Sequence, residues 1–197
     1  MVAQPYRSHM SVEEYVTFER AHPEGRYEFI DGQISMLAGG TADHSIISAN
    51  IIRELSIALR GSSCRVYTSD MKVRLSEQRY VFPDVSVSCD SRDQGSIEAL
   101  RYPRLIVEVL SPSTEAYDRG KKFSYYRTCL TIEEYVLVDT QQQAIDVYRR
   151  EQETFWRLSP LESGDLVKLH SLGVSFPVAA VYENILFPET TENSSSD

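Results

Sequence analysis

Apolar positions in this chain recur in two rhythms, one of three to four residues and one of two, which mark helices and strands respectively. Met1 to His9 follow neither and read as a loose start. Ser11-Val-Glu-Glu14 has the form of a capping box, in which Ser11 and Glu14 satisfy free backbone amides. It predicts a helix to about Ala21, ahead of Pro23 and Gly25. Arg26 to Ile30 and Gln33 to Leu37 flank Asp31-Gly32, a strong hairpin signal. After the break at Gly39-Gly40, Ile47, Ile51, Leu55 and Ala58 recur at helical spacing and predict a helix from about Asp43 to Arg60. Arg65 to Ser69, Met71 to Leu75 and Tyr80 to Ser88 read as strands, and the polar Ser91 to Leu100 as a loop with at most a helical turn. Leu105 to Leu110 is apolar without alternation, as in a central strand covered on both faces. A helix from about Glu115 to Cys129 leads into another apolar strand, Glu134 to Val138. Ala144 to Arg150 and Thr154 to Leu158 suggest a hairpin, and Val178 to Leu186 a closing helix.

With no internal repeat, this order predicts one α+β domain over residues 1–187, with a mixed sheet and helices against it. Residues 188–197, ending in Asn-Ser-Ser-Ser-Asp, have the composition of a disordered polar tail. A length of 197 residues allows a real core, and 42% hydrophobic with 25% charged residues fits a soluble globular protein. No stretch approaches the roughly 18 consecutive apolar residues of a membrane span. No basic-then-apolar signal segment opens the chain, so a cytoplasmic location without a membrane partner is expected. Cys64, Cys89 and Cys129 are odd in number and widely spaced, and read as reduced thiols instead of a disulfide framework or zinc site.

A net charge of -9 weighs against nucleic-acid binding, since phosphate contacts need Lys and Arg. The distribution softens that objection. Acids are dense before Gly32 and in the tail, whereas Arg60, Arg65, Lys72, Arg74, Arg79, Arg101, Arg104, Arg119, Lys121, Lys122 and Arg127 gather through the middle. A local positive rim on an acidic protein is compatible with this pattern.

Two acids break the apolar pattern. Glu108 sits inside Leu105-Ile-Val-Glu-Val-Leu110, and Asp84 is set between Val81, Phe82 and Val85, Val87. An unpaired buried charge costs several kcal/mol, on the order of a whole domain's margin of stability. Two acids on apolar strands with a lysine shortly downstream therefore describe a site where a cation is bound. A divalent metal is the obvious candidate, because hard cations take carboxylate oxygens.

The ordered set of motifs is more specific than any one of them. Pro83-Asp84, Glu108 and Lys122 resemble the PD-(D/E)XK nuclease superfamily. The run Pro83-Asp-Val85, Glu108 to Thr114, Asp118 to Lys122, Tyr126, and Glu134-Tyr-Val-Leu-Val-Asp139 is similar to the Uma-type restriction endonuclease family. The resemblance reaches back to Tyr27-Glu-Phe-Ile-Asp-Gly32 and His44, and so covers most of the chain. It implies a restriction-endonuclease-like fold, a mixed central sheet flanked by helices with an N-terminal helix and β-hairpin. One departure from the superfamily pattern is Leu110, where a lysine two residues after the Glu is expected. Lys122 on the following helix is its natural replacement, with Lys121 as the rival.

The implied activity is hydrolysis of DNA phosphodiester bonds by a metal-dependent endonuclease. Asp84 and Glu108 would hold Mg2+, with Mn2+ able to substitute, and the Val109 carbonyl would add a third oxygen. Lys122 would lie beside the attacking water. Glu28 is read as a further acidic residue of the site or an outer partner of it. His44 reads first as a hydrogen-bonded core or cap residue, Tyr126 as a packed core tyrosine that could also support Lys122. Asp118 reads as a helix N-terminal residue and Asp139 as turn chemistry. A homodimer is expected, because antiparallel DNA strands are themselves related by two-fold symmetry. The rival expectation is a non-cleaving member of the same fold that binds nucleic acid or a protein partner.

Overall fold

Successive strand side chains face opposite ways, and along Leu105 to Leu110 both ways are covered. Leu105, Val107 and Val109 join one core cluster while Ile106 and Leu110 join another, which is why the run is apolar without alternation. This computed structural model describes residues 5–7, 9–37, 39–95 and 97–187. In chain order its elements are β1 (Pro5–Arg7), α1 (Val12–Ala21), β2 (Tyr27–Ile30), β3 (Gln33–Met36), α2 (Ala42–Ala58), β4 (Arg65–Thr68), β5 (Val73–Ser76), β6 (Arg79–Val81), β7 (Val85–Ser88), β8 (Pro103–Val109), α3 (Glu115–Tyr117), α4 (Phe123–Tyr126), β9 (Glu134–Val138), β10 (Ala144–Arg150), β11 (Trp156–Glu162), β12 (Leu166–Leu169), β13 (Val174–Pro177) and α5 (Val178–Val181). A π-helical turn, Asp118–Lys122, joins α3 to α4.

The expected α+β architecture is present. Its centre is a six-stranded sheet in the order β11-β10-β9-β8-β7-β4, mixed because β8 and β9 run parallel while their other neighbours are antiparallel. The parallel pair needs a crossover, and the helical stretch from α3 to α4 supplies it. One face of the sheet packs on α2, α5 and the β12–β13 hairpin through Ile47, Ile51, Leu55, Phe176 and Val181. The other face packs on α4 and the β5–β6 hairpin through Val73, Val81, Tyr125 and Tyr126. A second sheet, β1-β3-β2-β6-β5, carries the N-terminal hairpin and is covered by α1 through Tyr15 stacked on Phe29, with ring centroids 4.9 Å apart.

Local signals written in the sequence are realised at α1 and at the first hairpin. Ser11 and Glu14 form a full capping box. Asp31 and Gly32 turn the hairpin with φ of 50° and 89°, the left-handed pair that a two-residue loop requires.

Other expectations need correction. Pro5–Arg7 is not a loose start; it pairs antiparallel with β3. Tyr80 to Ser88 is not one strand. Pro83 has no amide hydrogen for a ladder, and the Phe82-Pro83-Asp84 step sends β6 into one sheet and β7 into the other. The closing helix is a single turn, α5, after which Asn184 adopts a φ of 66° that ends helices. The β12–β13 hairpin was not read from the sequence, although Leu166 to Leu169 alternates exposed and buried positions. Cys64 and Cys89 are not reduced thiols but a disulfide; only Cys129 is free, and it is buried. They flank β4 and β7, whose register pairs Arg65 with Ser88, so the sheet brings together two cysteines that sequence spacing keeps apart. The predicted tail, 188–197, lies outside the described residues. Among the described residues no helix is long and apolar enough to cross a membrane.

Glu134 fixes the β12–β13 hairpin to the central sheet. Its carboxylate, fully buried, accepts the amides of His170 and Ser171 at 2.9 and 3.2 Å and the Ser171 hydroxyl at 2.5 Å. Removing the acceptor breaks three part-buried hydrogen bonds to a charged group, each contributing about 1 kcal/mol or somewhat more. Glu134→Ala is therefore expected to lose on the order of 3 kcal/mol in urea denaturation; a loss within 0.5 kcal/mol, roughly the scatter of a surface change, would show that the hairpin does not depend on this carboxylate.

Candidate active site

The β7–β8 register pairs Val85 with Val107. One step beyond it sets Asp84 beside Glu108 at the same end of the sheet. The Val109 amide donates to Asp84 Oδ2 at 2.8 Å, fixing that carboxylate against β8. Glu108 lies on the face of β8 that carries Ile106 and Leu110, beneath the crossover helix. It is 4% exposed, so its charge needs a partner.

The crossover provides one. Lys122 is itself buried, and its Nζ lies 2.8 Å from Glu108 Oε1, 3.4 Å from Glu28 Oε1 and 4.0 Å from Asp118 Oδ1. Lys121, the rival, is exposed and belongs to no salt bridge among the described residues. Leu110, where the superfamily lysine would stand, is packed in the core. Asp118, Lys122 and Tyr126 are spaced four apart and all face inward. The π-helical turn spans the first of these steps, and such turns recur at functional sites. Tyr126 donates its hydroxyl to Glu108 Oε1 at 2.5 Å. Glu28 reaches the same ammonium from β2 while accepting the Phe82 amide at 3.1 Å, and so holds the step between the two sheets.

Charge in this group is unbalanced. One ammonium faces three carboxylates, those of Glu108, Glu28 and Asp118. Burial pushes Glu108 up to about 8, against the pull of Lys122 and with the help of Asp118 and Asp84. Burial likewise raises Asp118. For Lys122 burial acts the other way, but Glu108, then Glu28, outweigh it and hold the ammonium charged well above its ordinary range.

His44 stands at the outer edge. Its Nε2 is 3.2 Å from Asp84 Oδ2, and both side chains are about one-fifth exposed, at 21% and 19%. The hydrogen bond to Asp84 raises the imidazole's pKa against the effect of burial.

The structure thus brings Asp84, Glu108, Val109, Lys122 and Glu28 together. It adds Asp118, read from the sequence as a helix N-terminal residue, and His44, read as core or cap. The signal for Asp118 was its four-residue offset from Lys122. For His44 it was a position on the Ile47–Ile51 stripe one turn beyond the last core residue. Asp139 does form a turn, accepting the Gln141 amide at 2.7 Å. Five residues of the expected basic rim are paired with acids of the same chain: Lys72 with Glu19, Arg74 with Glu77, Arg79 with Asp31, Arg104 with Glu133, and Arg119 with Glu115 and Asp146.

Among the described residues no three His, Cys, Asp or Glu side chains converge as a ready ligand cluster. The donors still fit a hard divalent ion. Such an ion needs one or two carboxylates and keeps several waters, and the surplus negative charge around Lys122 is what it would offset.

Comparisons with other proteins agree with this geometry at the level of family and fold. The profile of the Uma2 family, described as "Putative restriction endonuclease", matches residues 12–179. An uncharacterized protein of Synechocystis sp. is 40% identical over 179 residues, spanning 90% of this chain and 94% of its own length. A second from the same organism is 32% identical over 155 residues, 77% of this chain and 87% of the other. A crystal structure described as a putative nuclease from Anabaena variabilis shares the fold, with a TM-score of 0.74 at 19% identity over 90% of this chain and 99% of that one.

The carboxylate surplus has a pH signature. Glu108 keeps a proton up to about 8 in the folded chain but ionises near 4.5 when exposed. Its contribution to stability is complete below about 4.5 and is lost as pH rises toward 8. In chelator, denaturation of the wild type at pH 5.5 and pH 8 is expected to show a fall that Glu108→Gln reduces by about 1–3 kcal/mol. Parallel pH profiles for the two proteins would contradict the raised Glu108 pKa.

Proposed function

The chain belongs to the Uma2 family, and on that premise we propose that it is a metal-dependent nuclease that hydrolyses DNA phosphodiester bonds at the Asp84–Glu108–Lys122 site. The observation that carries this reading is the buried ammonium of Lys122, 2.8 Å from Glu108 on the strand next to Asp84. It supplies from a helix the positive charge that the PD-(D/E)XK pattern takes from the strand.

Hydrolysis of a phosphodiester needs an activated water, compensation of charge developing on phosphorus oxygens, and a stabilised leaving oxygen. Asp84, Glu108 and the Val109 carbonyl would hold a divalent ion, which when bound would supply an acidified water and part of the charge compensation. Lys122 donates hydrogen bonds to the water or to a phosphate oxygen from a fixed point in a low-dielectric site, where such a charge acts strongly. Tyr126 orients Glu108 by holding one of its oxygens. Glu108, then Glu28, keep Lys122 charged, with Asp118 beside it. Exposed Lys121, Arg101 and Arg127 belong to no salt bridge among the described residues and are the candidates for contacts with the DNA backbone. Two copies related by a two-fold axis would place one site on each strand.

A second reading is binding of nucleic acid or a protein without cleavage, and the pairing of Arg74, Arg79, Arg104 and Arg119 with acids of the same chain favours the protein partner within it. Incubation of the purified protein with plasmid and single-stranded DNA in Mg2+ or Mn2+ distinguishes the two. Cleavage is expected, stopped by chelator and weakened by salt. Asp84→Asn, Glu108→Gln and Lys122→Ala should each lower the rate by roughly 100-fold or more. Retention of DNA without cleavage would favour the second reading. Equal nicking by wild type and Glu108→Gln would remove the support for an enzyme.

A further inference from the structure

The three donors proposed for the metal do not stand alone at the open side of the site. His44 Nε2 is 3.2 Å from Asp84 Oδ2. Two ligands of one ion, each about 2.1 Å from it and at right angles, lie ~3.0 Å apart. The His44–Asp84 contact, a hydrogen bond without an ion, has a spacing that two neighbouring ligands of one ion could keep. Both side chains are partly open to solvent, whereas Lys122 is 7% exposed, so an ion can reach this pair without displacing the buried ammonium.

The ring is also held in position from behind. His44 lies in the first turn of α2, where its amide donates to the Thr41 hydroxyl at 3.2 Å. Gly40 packs so closely beneath the ring that an added Cβ would stand 2.8 Å from Nδ1 and 2.9 Å from Cγ.

We propose that His44 is a ligand of the divalent ion, making the donor set imidazole, carboxylate and carbonyl, and that the site therefore selects Mn2+ over Mg2+. This inference rests on the metal site of the proposed function. Mg2+ strongly favours oxygen and retains its waters, whereas Mn2+ accepts oxygen donors and, like other first-row transition ions, an imidazole nitrogen. Gly40 acts as a positioning residue through the space it leaves for the ring.

Calorimetric titration of chelator-stripped protein with Mn2+ and with Mg2+, together with electron spin-echo spectroscopy of the Mn2+ form, tests the assignment without any activity measurement. The wild type is expected to bind Mn2+ at least tenfold more tightly than Mg2+ and to show nitrogen modulation from a directly bound imidazole. His44→Ala, and His44→Gln as the bulkier control for folding, should lose the nitrogen signal and most of the Mn2+ preference while Mg2+ affinity changes little. Gly40→Ala, which keeps the imidazole but crowds it, should weaken Mn2+ more than Mg2+. Mn2+ bound without nitrogen modulation, or unchanged Mn2+ affinity in both His44 variants, would overturn the inference. If Asp84→Asn abolishes binding in that case, the carboxylate metal site stands and only the histidine is excluded. Absence of binding of either ion to the wild type would remove the metal site itself.

Discussion

The ammonium of Lys122 is the point on which the site and the junction of the fold both depend. Charge removed from water is tolerated only beside opposite charge and hydrogen bonds, and breaking such a group by removing one partner costs about 3–5 kcal/mol. The partners here come from separate elements: Glu108 from the central strand, Glu28 from the second sheet, Asp118 from the π-helical turn. The cluster therefore ties the two sheets and the crossover helix to one another. The Phe82 amide on Glu28 adds a tie at the step where the chain passes between sheets.

The arrangement is more negative than structure alone calls for. A single ammonium faces three carboxylates, and one of them, Glu108, retains a proton to about pH 8. Towards solvent the negative charge continues through Asp84, which meets His44 instead of a lysine. A carboxylate-rich floor under a partly open rim of Asp84 and His44 suits a cation that arrives from solvent and a phosphate that follows it. The fold thereby holds Lys122 in place before any ligand binds, so its orientation costs nothing during a reaction.

How far this was legible depended on whether a signal was local. Glu108 and Asp84 announced themselves because a carboxylate on an apolar strand violates the strand's own pattern. The capping box at Ser11 and the Asp31-Gly32 turn could be read because their geometry is fixed by a few adjacent residues. Lys122 needed the resemblance, since a lysine on a helix is ordinarily solvated. Asp118 escaped because its inward direction depends on a π-helical turn that no propensity scale anticipates. His44 escaped because its partner, Asp84, lies far along the chain in the step between β6 and β7. The Cys64–Cys89 bond and the division of Tyr80 to Ser88 between two sheets failed for the same reason: both are consequences of strand pairing, which distant residues decide.

That a lone buried ammonium holds together a surplus of carboxylates can be tested by stability alone. Chemical denaturation in chelator near pH 8 would compare wild type, Lys122→Met, Glu108→Gln and the double variant. Lys122→Met is expected to lose on the order of 3–5 kcal/mol, and addition of Glu108→Gln to recover part of that loss by relieving the unpaired charge. If Lys122→Met keeps the stability of the wild type, or the second substitution adds a loss of its own, the ammonium is not what holds the site together.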